Sequence, residues 1–101
     1  MKLVYMSHPY TGNEKESVQK MREYCLRVKY QHPEWVLINP LDNHTYAHEK
    51  YSYDEFMKMD MELLARCEII VFCGDWEHSK GCMKEYKEAK RLNKVIYFER
   101  K

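Results

Sequence analysis

At 101 residues the chain is long enough for one domain, spanning 1–101, with a single core, but short for an enzyme that carries its whole active site unaided. An oligomer that completes the site, a homodimer or larger, is therefore expected. The content is 45% hydrophobic and 33% charged with a formal net charge of +1, which fits a soluble globular protein and excludes a global field that would attract polymeric nucleic acid or an anionic membrane.

The opening Met-Lys-Leu-Val-Tyr-Met-Ser lacks the long apolar stretch of a signal peptide, and no run approaches the roughly 20 apolar residues of a membrane span. A cytoplasmic protein is predicted. Leu3 to Met6 reads as a first strand, halted by Ser-His-Pro-Tyr-Thr-Gly-Asn at 7–13, whose Pro9 and Gly12 punctuate a loop. From Glu14 to about Gln31, Val18, Met21, Cys25 and Val28 recur at helical spacing, and His32-Pro33 closes that helix. Trp35 to Ile38 is a second strand ended by Asn39-Pro40, and the aperiodic stretch 41–51 reads as a long functional loop.

Ser52 or Asp54 caps a second helix running to about Arg66. The continuous apolar run within Glu68 to Cys73 predicts a central strand buried on both faces, with Gly74 to His78 as its exit loop. Ser79 caps a third helix that reaches about Leu92, Asn93 stops it, and Val95 to Phe98 forms the fourth strand. The alternation of strands and helices predicts an α/β fold: a three-layer, Rossmann-like (flavodoxin-like) doubly wound parallel sheet of four strands in the order 2-1-3-4. Ligands of such sheets bind beyond the C-terminal strand ends where the order reverses, which gathers residues 7–13, 39–51 and 74–80 around one crevice.

Four cysteines, Cys25, Cys67, Cys73 and Cys82, lie in periodic or apolar segments without Cys-x-x-Cys spacing and read as reduced structural thiols. His44 and His48 are spaced i, i+4 but lack further ligands in a recognisable zinc pattern, so neither a metal site nor a cofactor is expected.

Helical projection separates charged residues that composition treats alike. In the second helix Tyr53, Phe56, Met57, Leu63, Leu64 and Cys67 define one stripe, and Asp60 falls at its middle, whereas Asp54, Glu55, Lys58, Glu62 and Arg66 lie opposite. A buried carboxylate costs several kcal/mol unless it is paired, protonated or at a wet cleft. A structural ion pair and a chemical role both satisfy that condition. In the third helix Cys82, Tyr86, Ala89 and Leu92 form the inner face with Glu85 among them, while Lys84, Lys87 and Arg91 point out and Glu88 stands at the border. Glu85 is either a catalytic carboxylate or one arm of a salt bridge across a helix interface. Ser79, Lys80 and Gly81 open this helix with a hydroxyl, an ammonium and backbone N–H groups, an arrangement that suits a phosphate and also makes an ordinary cap.

Taken together, Ser-x-Pro-Tyr-Thr-Gly at 7–12, Asn39-Pro40, Met59-Asp60 and Gly-Asp-Trp-x-x-Ser-x-Gly-x-x-x-Glu-x-x-x-Ala at 74–89 resemble the nucleoside 2-deoxyribosyltransferase superfamily, nearest to its small bacterial and phage members. The resemblance implies cleavage of the N-glycosidic bond of a nucleoside or its 5′-monophosphate. Glu85 would attack C1′ of the sugar and Asp60 would orient or protonate the departing base. Ser79 stands where transferases acting on free nucleosides tend to carry a carboxylate, which implies a 5′-phosphorylated ligand held with Lys80 and Gly81. Ser7, Tyr10 and Gly12 would line the phosphate or sugar, Asn39 would join the substrate contacts, and Tyr10 or Trp76 would stack on the base. His8 replaces a glycine usual in the family's loop, Lys87 replaces the glycine two residues after the nucleophile, and nothing after Phe98 matches the residues that a neighbouring subunit lends in the longer transferases. The competing functional class is a nucleotide-binding module that keeps the crevice and no longer cleaves; a third is a partner-binding domain anchored by its tyrosines.

Overall fold

The computed structural model describes residues 1–10, 14–44 and 51–99. Four strands, β1 (Lys2–Ser7), β2 (Trp35–Ile38), β3 (Ile69–Cys73) and β4 (Val95–Glu99), form one parallel sheet in the predicted order β2-β1-β3-β4. In register, Val4 lies beside Leu37 and Ile69, and Phe72 beside Ser7 and Phe98. β1 and β3 are the inner strands, and all five residues of β3 are buried, as an uninterrupted apolar run demands when helices cover both faces.

The alternation of the strands sends their side chains into two cores. Val4, Met6, Ile69 and Val71 pack with Met21, Tyr24 and Val28 of α1 (Glu14–Gln31). Tyr5, Ile70 and Phe72 pack on the other face with Leu64 of α3 (Tyr53–Arg66) and Cys82 and Ala89 of α4 (Lys80–Arg91). Each of these large side chains contributes about 1.5–3 kcal/mol by leaving water, which sets the three-layer arrangement. All four cysteines are free thiols. No helix among the described residues is long and apolar enough to cross a membrane.

Local chemistry fixes the helix ends. Ser52 caps α3 in a capping box with Glu55. α4 closes in a Schellman motif: the Lys94 N–H donates to the Ala89 carbonyl and the Asn93 N–H to that of Lys90, with Asn93 in the left-handed region at φ 57°. Gly74 holds φ 58° where β3 turns out of the sheet, and a Cβ there would come within 3.3 Å of the Tyr24 hydroxyl.

One expectation is corrected. The stretch read as a loop from residue 41 begins with a short helix, α2 (Pro40–His44). Asn39 Oδ1 accepts the Leu41 N–H at 3.1 Å and Pro40 takes the first helical position, where its missing N–H costs nothing. Residues 45–50, with His48 of the histidine pair, lie outside the described residues, as does Gly12.

Candidate active site

At the C-terminal end of the sheet the chain leaves the neighbouring strands β1 and β3 toward opposite faces, α1 after β1 and α4 after β3, which leaves room between the exit of β1 and the helices that flank it. A cavity of about 480 Å³ occupies this position. Tyr5, His8 and Tyr10 border it from β1 and its exit, and Pro40 and Leu41 from α2. Tyr53, Phe56, Met57 and Asp60 of α3 face the first turn of α4 and Glu85 across it.

Both inward carboxylates meet here. Asp60 and Glu85 are each 5% exposed, come from different helices and border the same cavity. Glu85 is gripped from the central strand. The Tyr5 hydroxyl donates to Oε2, and Ser7 Oγ donates to Oε1 at 2.7 Å. Tyr5 and Ser7 are two residues apart, so the pleat of β1 turns both to the α3/α4 face. Burial is the largest influence on Glu85 and pushes its carboxyl up to about 7; the two hydroxyl donors pull it down and the neighbouring Asp60 pushes it up further. The Tyr5 phenol is held well above its ordinary value by its own burial and by Glu85, so it remains a donor. Glu88, three residues along the same helix, is the counterexample: both its oxygens accept from Arg91, at 2.8 and 2.7 Å, and that contact lowers its carboxyl.

The start of α4 forms another wall. Ser79 caps the helix, its Oγ accepting the Cys82 N–H at 3.2 Å, and Ser79, Lys80 and Gly81 all border the cavity. A Cβ on Gly81 would lie 3.2 Å from the Tyr53 hydroxyl and 3.6 Å from Met57 Sδ, so the absence of a side chain lets α3 and α4 close on each other. His8 donates from Nδ1 to the Pro9 carbonyl at 2.7 Å, which leaves Nε2 as an acceptor; burial lowers its pKa and keeps the ring neutral.

Of the residues singled out in the sequence, Glu85, Asp60, Tyr10, Ser79, Lys80 and Gly81 converge on the cavity. Three do not line it. Ser7 is 1% exposed and sits behind Glu85 because β1 runs one residue further than its apolar stretch. Trp76 starts a 3₁₀ turn (Trp76–His78) that folds its ring onto Phe98 and Tyr86, at centroid distances of 5.4 and 4.9 Å, so it builds the core rather than a base platform. Asn39 spends its side chain on the Leu41 N–H and, at 3.1 Å, on Asp42.

Sequence reasoning overlooked Tyr5, and the signal was available: a phenol amid the aliphatic residues of an inner strand needs a partner for its hydroxyl. Cys82, Tyr53 and Phe56 were assigned to packing alone, yet they also form cavity wall, because the stripe that buries a helix and the stripe that lines a cleft share one periodicity.

No curated protein matches the chain in sequence. Its fold is shared with a 2-deoxyribosyltransferase from Leishmania mexicana, at a TM-score of 0.69 and 17% identity over 97% of this chain and 63% of that one. It is also shared with a 2-deoxyribosyltransferase from the psychrotolerant bacterium Bacillus psychrosaccharolyticus, at a TM-score of 0.67 and 20% identity over 95% of this chain and 70% of that one. The chain thus spans less than two thirds of the Leishmania protein, and at such identities the likeness is one of fold, in agreement with the superfamily resemblance read from the motifs. With residues 2–98 matched by the family model, the chain belongs to the family described as a domain of unknown function, DUF4406.

Proposed function

We propose that this protein is an N-glycosidase of the deoxyribosyltransferase kind, acting on a (deoxy)nucleoside 5′-monophosphate through a covalent glycosyl-enzyme. The observation that carries the reading is the pair Glu85 and Asp60: two buried carboxylates from different helices on one cavity, with Glu85 held by hydroxyl donors. An ionised Glu85 attacks C1′ on the face opposite the base, and the C1′–N bond breaks with its electron pair passing to the base. Asp60 supplies a proton to that nitrogen. Water then attacks C1′ and gives a proton to Asp60, while the C1′–O bond returns its pair to Glu85; a second base in place of water gives deoxyribosyl transfer. The oxocarbenium-like charge that develops at C1′ is stabilised by the adjacent carboxylate, and more strongly in a cavity with few waters than in bulk solvent.

Ser79, Lys80 and Gly81 at the start of α4 receive the 5′-phosphate in this reading, and Tyr10 and Tyr51 border the cavity where a base would lie. The working form is a cytoplasmic homo-oligomer, to be checked by light scattering. The decisive assay is chromatographic detection of free base released from a panel of deoxy- and ribonucleoside monophosphates. Release by the wild type and its loss in Glu85→Ala is the expected result. A nucleotide that raises Tm without any base release would establish a binding module instead.

A further inference from the structure

Ser7 ends an inner strand, β1, and its hydroxyl has two partners. It donates to Glu85 Oε1 at 2.7 Å and lies 3.2 Å from Cys82 Sγ. Tyr5 takes the other oxygen, Oε2. Tyr5 borders the cavity and Ser7 lies behind it, so the oxygen held by Ser7 is the one turned from a bound sugar. A hydroxyl is a rotor that donates to the best acceptor within reach, and Glu85 is a far better acceptor ionised than esterified.

We propose that Ser7 is a positioning residue for glycosyl transfer, which holds the Glu85 oxygen destined to become the ester carbonyl and favours release of that carboxylate when the ester is cleaved. The proposal rests on Glu85 as the nucleophile. When Oε2 bonds to C1′ and the C1′–N bond gives its pair to the base, the negative charge leaves the carboxylate, Oε1 becomes a carbonyl oxygen and the Ser7 hydroxyl turns toward Cys82 Sγ. When water attacks C1′, the C1′–Oε2 bond returns its pair to Glu85, and Ser7 donates to Oε1 again. Among the described residues, the ionisable groups that interact electrostatically with Glu85 are Tyr5 from β1, Asp60 and Tyr53 from α3, and Cys82 from α4 itself, while His8 and Lys80 border the same cavity. These groups all remain when Ser7 is replaced, so the effect of its hydroxyl can be isolated.

The test begins with the titration of Glu85, monitored by carbon NMR of glutamate-labelled protein in the wild type and Ser7→Ala, with Glu85→Gln to assign the signal. This measurement needs no substrate, so a failure of the Ser7 role is distinguishable from a failure of the catalytic reading. The midpoint should rise by about 1 pH unit in Ser7→Ala, the effect of losing one hydrogen bond to a charged group. Ser7→Cys, a weak donor of similar size, should fall between the two and serves alone if the alanine variant does not fold. With nucleotide present, the covalent adduct seen by intact mass should accumulate about tenfold over the wild type in Ser7→Ala, as expected for the same lost bond. An unchanged midpoint overturns the proposal. A raised midpoint with equal adduct in both proteins overturns the transfer role, and a raised midpoint with no adduct in either removes the reading of Glu85 on which it stands.

Discussion

Replacing Glu85 by glutamine should make the protein much more stable at pH 8 and only slightly more stable at pH 5. The carboxyl has an ordinary value of 4.5 and is pushed up to about 7 in the folded state, chiefly by burial. Between those two values the folded protein binds more protons than the unfolded chain, so stability falls as pH rises. The contribution is fully present below pH 4.5 and is lost above 7. A difference of about 2.5 units corresponds to about 3 kcal/mol, large against the 5–15 kcal/mol that holds a domain of this size together. Glutamine has the shape of the protonated carboxyl, retains an acceptor for one of the two hydroxyls and never ionises. Thermal denaturation followed by circular dichroism at pH 5 and pH 8 should therefore show a Tm gain of roughly 12 °C at the higher pH, at about 4 °C per kcal/mol, and of only about 3 °C at the lower, where the window has just been entered. The same variant should release no base. A Tm difference that is equal at both pH values, or larger at pH 5, would refute the premise that Glu85 is a desolvated acid, and with it the argument for a poised nucleophile.

The same ionisation should govern the acid side of the activity profile: kcat/KM is expected to rise about tenfold per pH unit below 7, and an acid limb centred near 4.5 would point to an exposed carboxylate instead. Gly81→Ala should raise KM for the nucleotide several-fold while costing less than about 1 kcal/mol of stability, since alanine favours the helix but its Cβ meets the Tyr53 hydroxyl at 3.2 Å; steady-state kinetics beside a denaturant titration separates the two effects. Trp76→Phe should leave KM within about twofold and lower Tm, because the indole packs with Phe72, Tyr86 and Phe98 away from the cavity, and a tenfold loss of affinity would return Trp76 to the base.

Periodicity carried the sequence reading furthest where an element is long. α3 and α4 run 14 and 12 residues, enough turns for one inward carboxylate in each to stand out against a polar face, and both Asp60 and Glu85 are buried on that side. Strand order was legible for a related reason: strands joined through helices must be parallel, and right-handed crossovers leave few orders to choose from. Short elements were less legible. α2 has five residues, too few to show a period, and only Asn39-Pro40 marked it. Ser7 was placed in a loop because the apolar run stops at Met6, but the ladder with β3 continues to Ser7 opposite Phe72. That single residue decides its role, since a strand residue inherits its direction from the pleat and a loop residue does not. Trp76 failed for a similar reason: a three-residue 3₁₀ turn redirected a side chain whose neighbours in sequence lie beside the crevice.

An ionisable carboxyl inside the protein conflicts with the burial that stabilises a small domain, and the fold places the conflict where it can be contained. The donors Tyr5 and Ser7 belong to β1, paired on both edges and therefore fixed by two ladders before any ligand arrives. The acceptor belongs to α4, anchored at its start by the Ser79 cap and at its end by the Schellman turn at Asn93. Asp60 across the cavity opposes the ionisation of Glu85. Glu88 shows how the same helix treats a glutamate whose role is purely structural. It turns outward to Arg91, where the charge stays in water and costs nothing. On the proposed glycosidase reading, Glu85 is retained in α4 at a cost of about 3 kcal/mol at neutral pH, where a glutamine would keep an acceptor for one of the two hydroxyls, because only a carboxylate can form the glycosyl ester.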